Sequence, residues 1–204
     1  MRRFKLIFNS HKQKNADIEK AKIVFQFAVM LIASVIGGMC FSNMLTESAI
    51  QRFTAKLYIS FNAMSNDVSF LNIFTEVALI DVICVALLFV FSFSFINYIV
   101  SDMVIIFLGF RFGMNAAIIK LSGFSQIGAC NSLSFWIFKG IILFGIMLYA
   151  CIAAFKALEL RRFGANRRPR INNRSLLHII LFTLVAIVFI LAVNGLYCLF
   201  VYIL

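Results

Sequence analysis

Residues 103–119 read MVIIFLGFRFGMNAAII, a segment that is apolar but also contains two glycines and a charge. Its small residues recur every four positions, at Gly109, Gly113 and Ala117. Helices in lipid approach one another closely along such rows, since no side chain holds the two backbones apart. The stretch therefore predicts a membrane helix that packs tightly against a neighbour.

The opposite face of the same helix is polar. Arg111 and Asn115 are four residues apart, so they lie one above the other on a helix. Neither a face of small residues nor a polar face suits lipid well. We therefore expect the other membrane helices to enclose this one.

A matching row of small residues occurs in the first apolar stretch of the chain. Ser34 and Gly38 are four apart, and Ala33 with Gly37 forms a second row beside them. These rows predict the partner face for the GxxxG helix.

Composition places the whole chain in a membrane. Of 204 residues 63% are hydrophobic, 25 are Phe, and only 13% are charged, about half the share found in soluble domains. A soluble fold could not cover so much apolar side chain, whereas lipid can. The length allows one domain.

The net charge of +11 is concentrated in two basic clusters, one before residue 23 and one between residues 156 and 174. Basic clusters beside apolar spans mark the cytoplasmic side of a membrane. Nucleic-acid binding is the rival interpretation of a basic protein. It is disfavoured here, because both clusters flank spans and no nucleic-acid recognition motif accompanies them.

The predicted fold class is all-α, a polytopic membrane helix bundle with five transmembrane helices and one external amphipathic helix. The five spans are residues 23–41, 73–98, 103–119, 133–155 and 176–204. Residues 1–22 form a basic cytoplasmic segment, 23–204 form the transmembrane domain, and 156–174 form a basic cytoplasmic loop. Four crossings separate the two basic clusters, so the N-terminus is expected in the cytoplasm and the C-terminus outside.

The external segment carries an amphipathic helix at about 46–64. Apolar residues recur on one face at steps of three and four, at Ile50, Phe53, Leu57 and Phe61. Such a helix either caps the external ends of the bundle or offers a docking surface to an external partner. Both interpretations stay open, and membrane lipid is a partner in either case.

Three charges inside apolar spans are the main clue to an internal site: Asp81, Arg111 and Lys139. A charge at mid-membrane costs about 2.5–3.5 kcal/mol on insertion scales, so it usually faces a partner or a watery cavity. Asp81 and Lys139 lie at similar depth, and Arg111 either reaches Asp81 or extends toward Asp102. We expect a buried polar cluster of these three charges, with Asn115 beside it.

No catalytic pattern occurs in the chain. Its two His residues lie far apart, its five Cys residues include no CxxC pair, and protease and nucleotide-binding motifs are missing. We predict a protein that is not an enzyme, with no catalytic residue, cofactor or metal. Five spans do not divide into two inverted repeats. A transporter therefore remains the alternative in one form, a permease-like subunit that works with a separate ATPase, and a homo-oligomer stays open.

The order of the segments along the chain and their composition resemble those of the stage II sporulation protein M family. The first span ends in ASVIGGMCFSN (residues 33–43), an amphipathic helix and a glycine-bearing third span follow, and five spans fit into about 200 residues. Residues 131–141 (NSLSFWIFKGI) lack the proline that the family often carries near its fourth span.

The resemblance implies a non-enzymatic membrane scaffold that acts in septal-wall remodelling and engulfment, or in another envelope process. It also implies partners, namely membrane-anchored proteins that remodel peptidoglycan. On that interpretation the apolar stripe of 46–64 is the expected partner surface.

Overall fold

The computed structural model describes residues 2–61, 70–94, 96–121, 129–164 and 173–203. Within these ranges the chain is all-helical, with six helices and no strand. The helices are α1 (Arg2–Ser42), α2 (Glu47–Phe61), α3 (Phe70–Phe91), α4 (Asn97–Leu121), α5 (Ala129–Gly164) and α6 (Asn173–Ile203).

Four helices in the described part of the chain are long and apolar enough to cross a membrane: Asp17–Ser42, Asn97–Leu121, Leu133–Leu158 and Leu177–Phe200. In α3 the apolar part of the helix is shorter and covers Val77–Phe91. Many large apolar side chains on these helices point outward, and Phe25 of α1 is 72% exposed. Large contiguous apolar surfaces of this kind are typical of helices that face lipid.

Helices α1 and α4 form the most extensive helix pair, and the two rows of small residues meet in it. A Cβ atom on Gly38 would overlap the Phe110 carbonyl oxygen, and one on Gly113 would overlap the Val35 carbonyl oxygen. A Cβ on Gly109 would overlap the Ser34 hydroxyl oxygen. The two backbones therefore touch where the sequence has glycine.

The second row of small residues does not take part in this contact. Ala33 is exposed, and a Cβ atom on Gly37 would meet nothing within 4 Å. On α4, Ala117 is half-buried, while its neighbour Ala116 is almost fully buried. Beyond Gly113, the fully buried small residue of α4 is therefore Ala116 rather than the predicted Ala117.

The remaining helices pack on one another around an aliphatic core. Helix α6 packs against both α3 and α5, and α4 contacts α5. The largest fully buried side chains of this core include Val85, Leu88, Ile105, Ile142, Ile146 and Ile190. Because these residues come from α3, α4, α5 and α6, the four helices form one bundle.

The predicted second span, 73–98, was drawn too long at its C-terminal end. Helix α3 ends at Phe91, and a turn follows in which the Ser94 N–H donates to the Phe91 carbonyl. The Ser92 hydroxyl donates to the Phe89 carbonyl at 2.6 Å. Serine hydroxyls compete for backbone groups in this way. Because phenylalanines surround these serines, the hydrophobicity of the segment does not indicate the turn.

The other predicted boundaries shift as well. Helix α5 runs to Gly164, nine residues beyond the predicted end of the fourth span at 155, so residues 156–164 of the predicted basic loop 156–174 are helical. Helix α4 begins at Asn97, six residues before the predicted third span. Helix α2 covers most of the predicted amphipathic stretch 46–64. Helix α1 runs from Arg2 without a break, so residues 2–22 of the predicted basic segment belong to the same helix as the first span.

Candidate functional site

Asp81, Lys139 and Asn194 form the centre of the candidate site, and each comes from a different helix. Lys139 Nζ of α5 lies 2.8 Å from Asp81 Oδ2 of α3 and 2.8 Å from Asn194 Oδ1 of α6. The Asn194 amide nitrogen donates to the same Asp81 oxygen at 3.2 Å. The three side chains therefore close a triangle of hydrogen bonds across three helices, which we call the polar triangle.

Lys139 is fully engaged within this triangle. A lysine ammonium has three donors, and the third one reaches the Val77 carbonyl oxygen at 3.3 Å. The Tyr197 ring lies beside the ammonium, with its centroid 6.0 Å from Nζ. Asp81 and Asn194 are buried at 4% and 0% exposure. The Lys139 side chain is 13% exposed. Both charges of the triangle are thus largely buried and paired with each other.

Arg111 approaches the same carboxylate more loosely. Its Nη1 lies 4.0 Å from Asp81 Oδ1, and its side chain is 30% exposed. Of the two predicted directions for Arg111, the structure has the one toward Asp81. Asp102 lies nine residues earlier on α4, about 13 Å along the helix axis. Its carboxylate instead accepts from the Gln26 amide nitrogen at 3.2 and 3.5 Å.

A cavity of about 800 Å³ opens beside the polar triangle. Its polar lining residues are Asp81, Arg111, Asn115 and Lys139. The other lining residues are apolar or aromatic and come from α2, α3, α4, α5 and α6. All four residues of the predicted polar cluster therefore line one cavity.

Aromatic side chains form the wall of the cavity nearest α5 and α6. The Phe112 ring stacks on Phe135 with centroids 5.8 Å apart, and it meets Trp136 edge-on at 5.4 Å. Tyr197 continues the wall from Phe135, with a centroid distance of 6.5 Å. Ring pairs at these distances and angles are favourable, so this wall has a defined shape.

The predicted partner surface on α2 is described in part. Phe53 is 38% exposed and lines the cavity, and Ile50 is half-buried. The side chains of Leu57 and Phe61 lie outside the described residues. Contact between Phe53 and the cavity favours the interpretation of α2 as a cap on this end of the bundle.

Sequence reasoning missed Asn194. Its signal was an isolated amide in the apolar run ILAVNGLYC (residues 190–198) of the last span. A polar residue inside a membrane helix usually faces the bundle interior, so this amide could have been matched to the charges on α3 and α5.

Further polar links hold the half of the bundle nearer the α3–α4 turn. The Tyr98 hydroxyl donates to Gln26 Oε1, which ties α4 to α1. The Asn97 amide donates to the Ala153 carbonyl at 3.4 Å and accepts from Ser101 at 2.8 Å. The hydroxyls of Tyr149 and Thr183 lie 2.6 Å apart between α5 and α6. These links were not predicted from the sequence either.

Among the described residues, no group of three or more His, Cys, Asp or Glu side chains could hold a metal ion. Four of the cysteines are described, and all four are free thiols: Cys40, Cys84, Cys151 and Cys198. Three of these four are buried, where a thiol packs as a small apolar group.

Fold and site together define a class, an all-helical bundle with several apolar helices of membrane-spanning length and a buried polar triangle. No protein-family model, curated protein or solved structure matches the chain.

Proposed function

We propose that this chain is a non-enzymatic, multi-pass membrane scaffold that positions cell-wall remodelling partners in the cell envelope. The observation that carries this proposal is the saturation of Lys139, whose three donors are all used inside the bundle. A coupling site in a transporter has to exchange partners as it works. A lysine held by α3, α5 and α6 together instead fixes the packing of those helices.

The membrane topology is part of the same proposal. Helix α3 has 22 residues and is about 33 Å long at 1.5 Å per residue, enough for a fifth crossing. With five crossings, the N-terminus and the basic segment 156–174 would share the cytoplasm, while α2 and the C-terminus would lie outside.

The envelope context comes from the resemblance to the stage II sporulation protein M family. It supplies the proposed partners, membrane-anchored proteins that remodel peptidoglycan, and the proposed setting of engulfment or a related envelope process. A scaffold of this kind would meet its external partners through α2.

One experiment separates a docking surface on α2 from a cap. Phe53→Glu places a charge on the apolar stripe, and Gln51→Glu places the same charge on an exposed position of the same helix. A docking surface predicts that Phe53→Glu loses co-purifying peptidoglycan-remodelling proteins while its melting temperature stays unchanged. A cap predicts a lower melting temperature. Equal partner recovery from both variants would contradict the docking role.

A permease-like subunit is the second candidate, and the cavity lined by Arg111 and Asn115 favours it. The two candidates differ in what they require of the polar triangle. The triple variant Asp81→Leu/Lys139→Met/Asn194→Leu replaces it with apolar side chains of similar size. A scaffold predicts that this variant complements a deletion strain. Failure to complement, with normal accumulation in the membrane, would favour transport.

A further inference from the structure

We infer that the cavity beside the polar triangle binds an anionic phospholipid, with the lipid phosphate on Arg111 and an acyl chain on the apolar wall. This inference goes beyond the proposed scaffold role and does not depend on it. It rests on the charges, the lining and the opening of the cavity.

The charges that line the cavity do not balance. Two cations, Arg111 and Lys139, face one acid, Asp81, so the described lining has a net charge of +1. Lys139 has no free donor, and Asp81 Oδ2 already accepts from both Lys139 and Asn194. The excess positive charge is therefore located on Arg111.

Arg111 has donors to spare. A guanidinium carries five N–H donors, and the contact of Arg111 in the described structure is a single 4.0 Å approach to Asp81 Oδ1. Asn115 lines the same cavity one helical turn away and can add an amide donor. A phosphate accepts such donors through several oxygens, and a guanidinium fork matches its geometry. A net anionic headgroup would also neutralise the cation inside the bundle.

The apolar residues that line the cavity favour a lipid over a small anion as the ligand. Apart from the four polar residues, the wall is apolar or aromatic, with aliphatic side chains such as Ile80, Leu143 and Ile146. The volume of about 800 Å³ lies within the usual range for ligand sites and is far larger than a phosphate ion requires. An acyl chain would cover this apolar surface.

The cavity opens on the outer surface of the bundle, where lipid is expected. Leu79 of α3 and Phe107 of α4 both line it, and they are 59% and 52% exposed. Both residues lie near the middle of their helices, away from the turn that joins α3 to α4. A lipid can therefore enter sideways between the two helices without leaving the bilayer.

The test measures binding of phosphatidylglycerol and phosphatidylcholine to the purified full-length protein in detergent, by native mass spectrometry and by the lipid-dependent rise in melting temperature. Arg111→Gln removes the proposed phosphate ligand. Lys120→Gln removes the same charge from an exposed position on the same helix that does not line the cavity. Inorganic phosphate is the control for a phosphate group that carries no acyl chain.

We expect the wild-type protein and Lys120→Gln to bind phosphatidylglycerol at least tenfold more tightly than phosphatidylcholine. Arg111→Gln is expected to lose that preference, and millimolar inorganic phosphate should not raise the melting temperature. Equal binding of the two lipids, an unchanged preference in Arg111→Gln, or stabilisation by inorganic phosphate alone would each overturn the inference.

A second variant keeps the test decisive if Arg111→Gln does not accumulate. Leu79→Trp narrows the mouth of the cavity and leaves all its charges in place. It is expected to weaken phosphatidylglycerol binding at least fivefold at an unchanged melting temperature without lipid. Unchanged affinity in Leu79→Trp would contradict a lipid that enters between α3 and α4.

Discussion

Asn194 Oδ1 lies 2.8 Å from Lys139 Nζ, the same distance that separates this ammonium from Asp81 Oδ2. A neutral amide thus shares the lysine equally with the carboxylate, and its own nitrogen donates back to that carboxylate. The ion pair between α3 and α5 is therefore anchored to a third helix, α6.

Removal of the amide is expected to weaken the bundle. In Asn194→Leu, Lys139 has one donor without an acceptor, and Asp81 accepts one hydrogen bond fewer, at largely buried positions. We expect the free energy of unfolding to fall by about 1–3 kcal/mol, the usual cost of an unsatisfied buried polar group. Unfolding in detergent by denaturant measures it. Gly195→Ala is the control, since its Cβ would lie 3.8 Å from Phe74, an ordinary contact.

The tight contact between α1 and α4 predicts a sharp difference between adjacent glycines. Gly38→Ile forces a side chain into the Phe110 carbonyl, whereas Gly37→Ile projects into open space. We expect Gly38→Ile to lose about 3 kcal/mol or more of stability, at or above the upper end for overpacked cores because backbone rather than side chain must move. Gly37→Ile should melt within a degree or two of wild type. Equal melting temperatures would show that the two backbones do not touch there.

The contact of Gln26 with Asp102 predicts coupling between α1 and α4. Gln26→Leu removes the described donors to this carboxylate and is expected to cost about 1.5–3 kcal/mol, as for hydrogen bonds to charged groups. The double variant Gln26→Leu/Asp102→Leu should recover the part of that loss that comes from the unpaired carboxylate. The Tyr98 hydroxyl loses its Gln26 acceptor in both variants. Phe25→Leu, at a position 72% exposed, is the control. Strict additivity of the two single effects would argue against the contact.

The proposed topology predicts opposite labelling of two positions. In a background without cysteine, Ser60→Cys should react with a membrane-impermeant maleimide on intact cells, and Arg168→Cys should react only after the cells are opened. Reaction of both positions from the same side would remove the assignment of α2 to the exterior.

The features that could be predicted from the sequence are those whose residues are unfavourable in contact with lipid. Asp81 and Lys139 stood out because a charge inside an apolar run needs a partner, and their similar depth suggested the pairing. Gly38, Gly109 and Gly113 stood out because a row of small residues has few other uses in a membrane helix.

Other features depend on which helix faces meet, and a linear pattern does not specify this. Asn194 has no charge, so it was passed over although it completes the triangle. Gly37 and Gly38 are equivalent in the sequence, yet only Gly38 faces α4. The turn after Phe91 is made by Ser92 and Ser94, whose effect was masked by the phenylalanines around them.

The surroundings of the ion pair make an exchange of its two residues a poor test of the pair. Exchanging Asp81 and Lys139 would place a lysine beside Arg111 and would remove the donor to the Val77 carbonyl. A failed exchange would therefore not argue against the pair. Replacing the whole polar triangle with apolar side chains places no lysine beside Arg111, although it also removes the donor to the Val77 carbonyl. Arg111 loses its 4.0 Å approach to Asp81, but its side chain is 30% exposed and lines the cavity.

Unfolding of two purified variants in detergent tests whether the polar triangle fixes the packing of α3, α5 and α6. Asp81→Leu alone leaves Lys139 buried without its acid and is expected to lose about 3–5 kcal/mol of stability. Asp81→Leu/Lys139→Met/Asn194→Leu is expected to lie within about 1 kcal/mol of wild type or above it, as found when buried ion pairs are replaced by packed apolar groups. A single variant as stable as wild type, or a triple variant as unstable as the single one, would contradict the account.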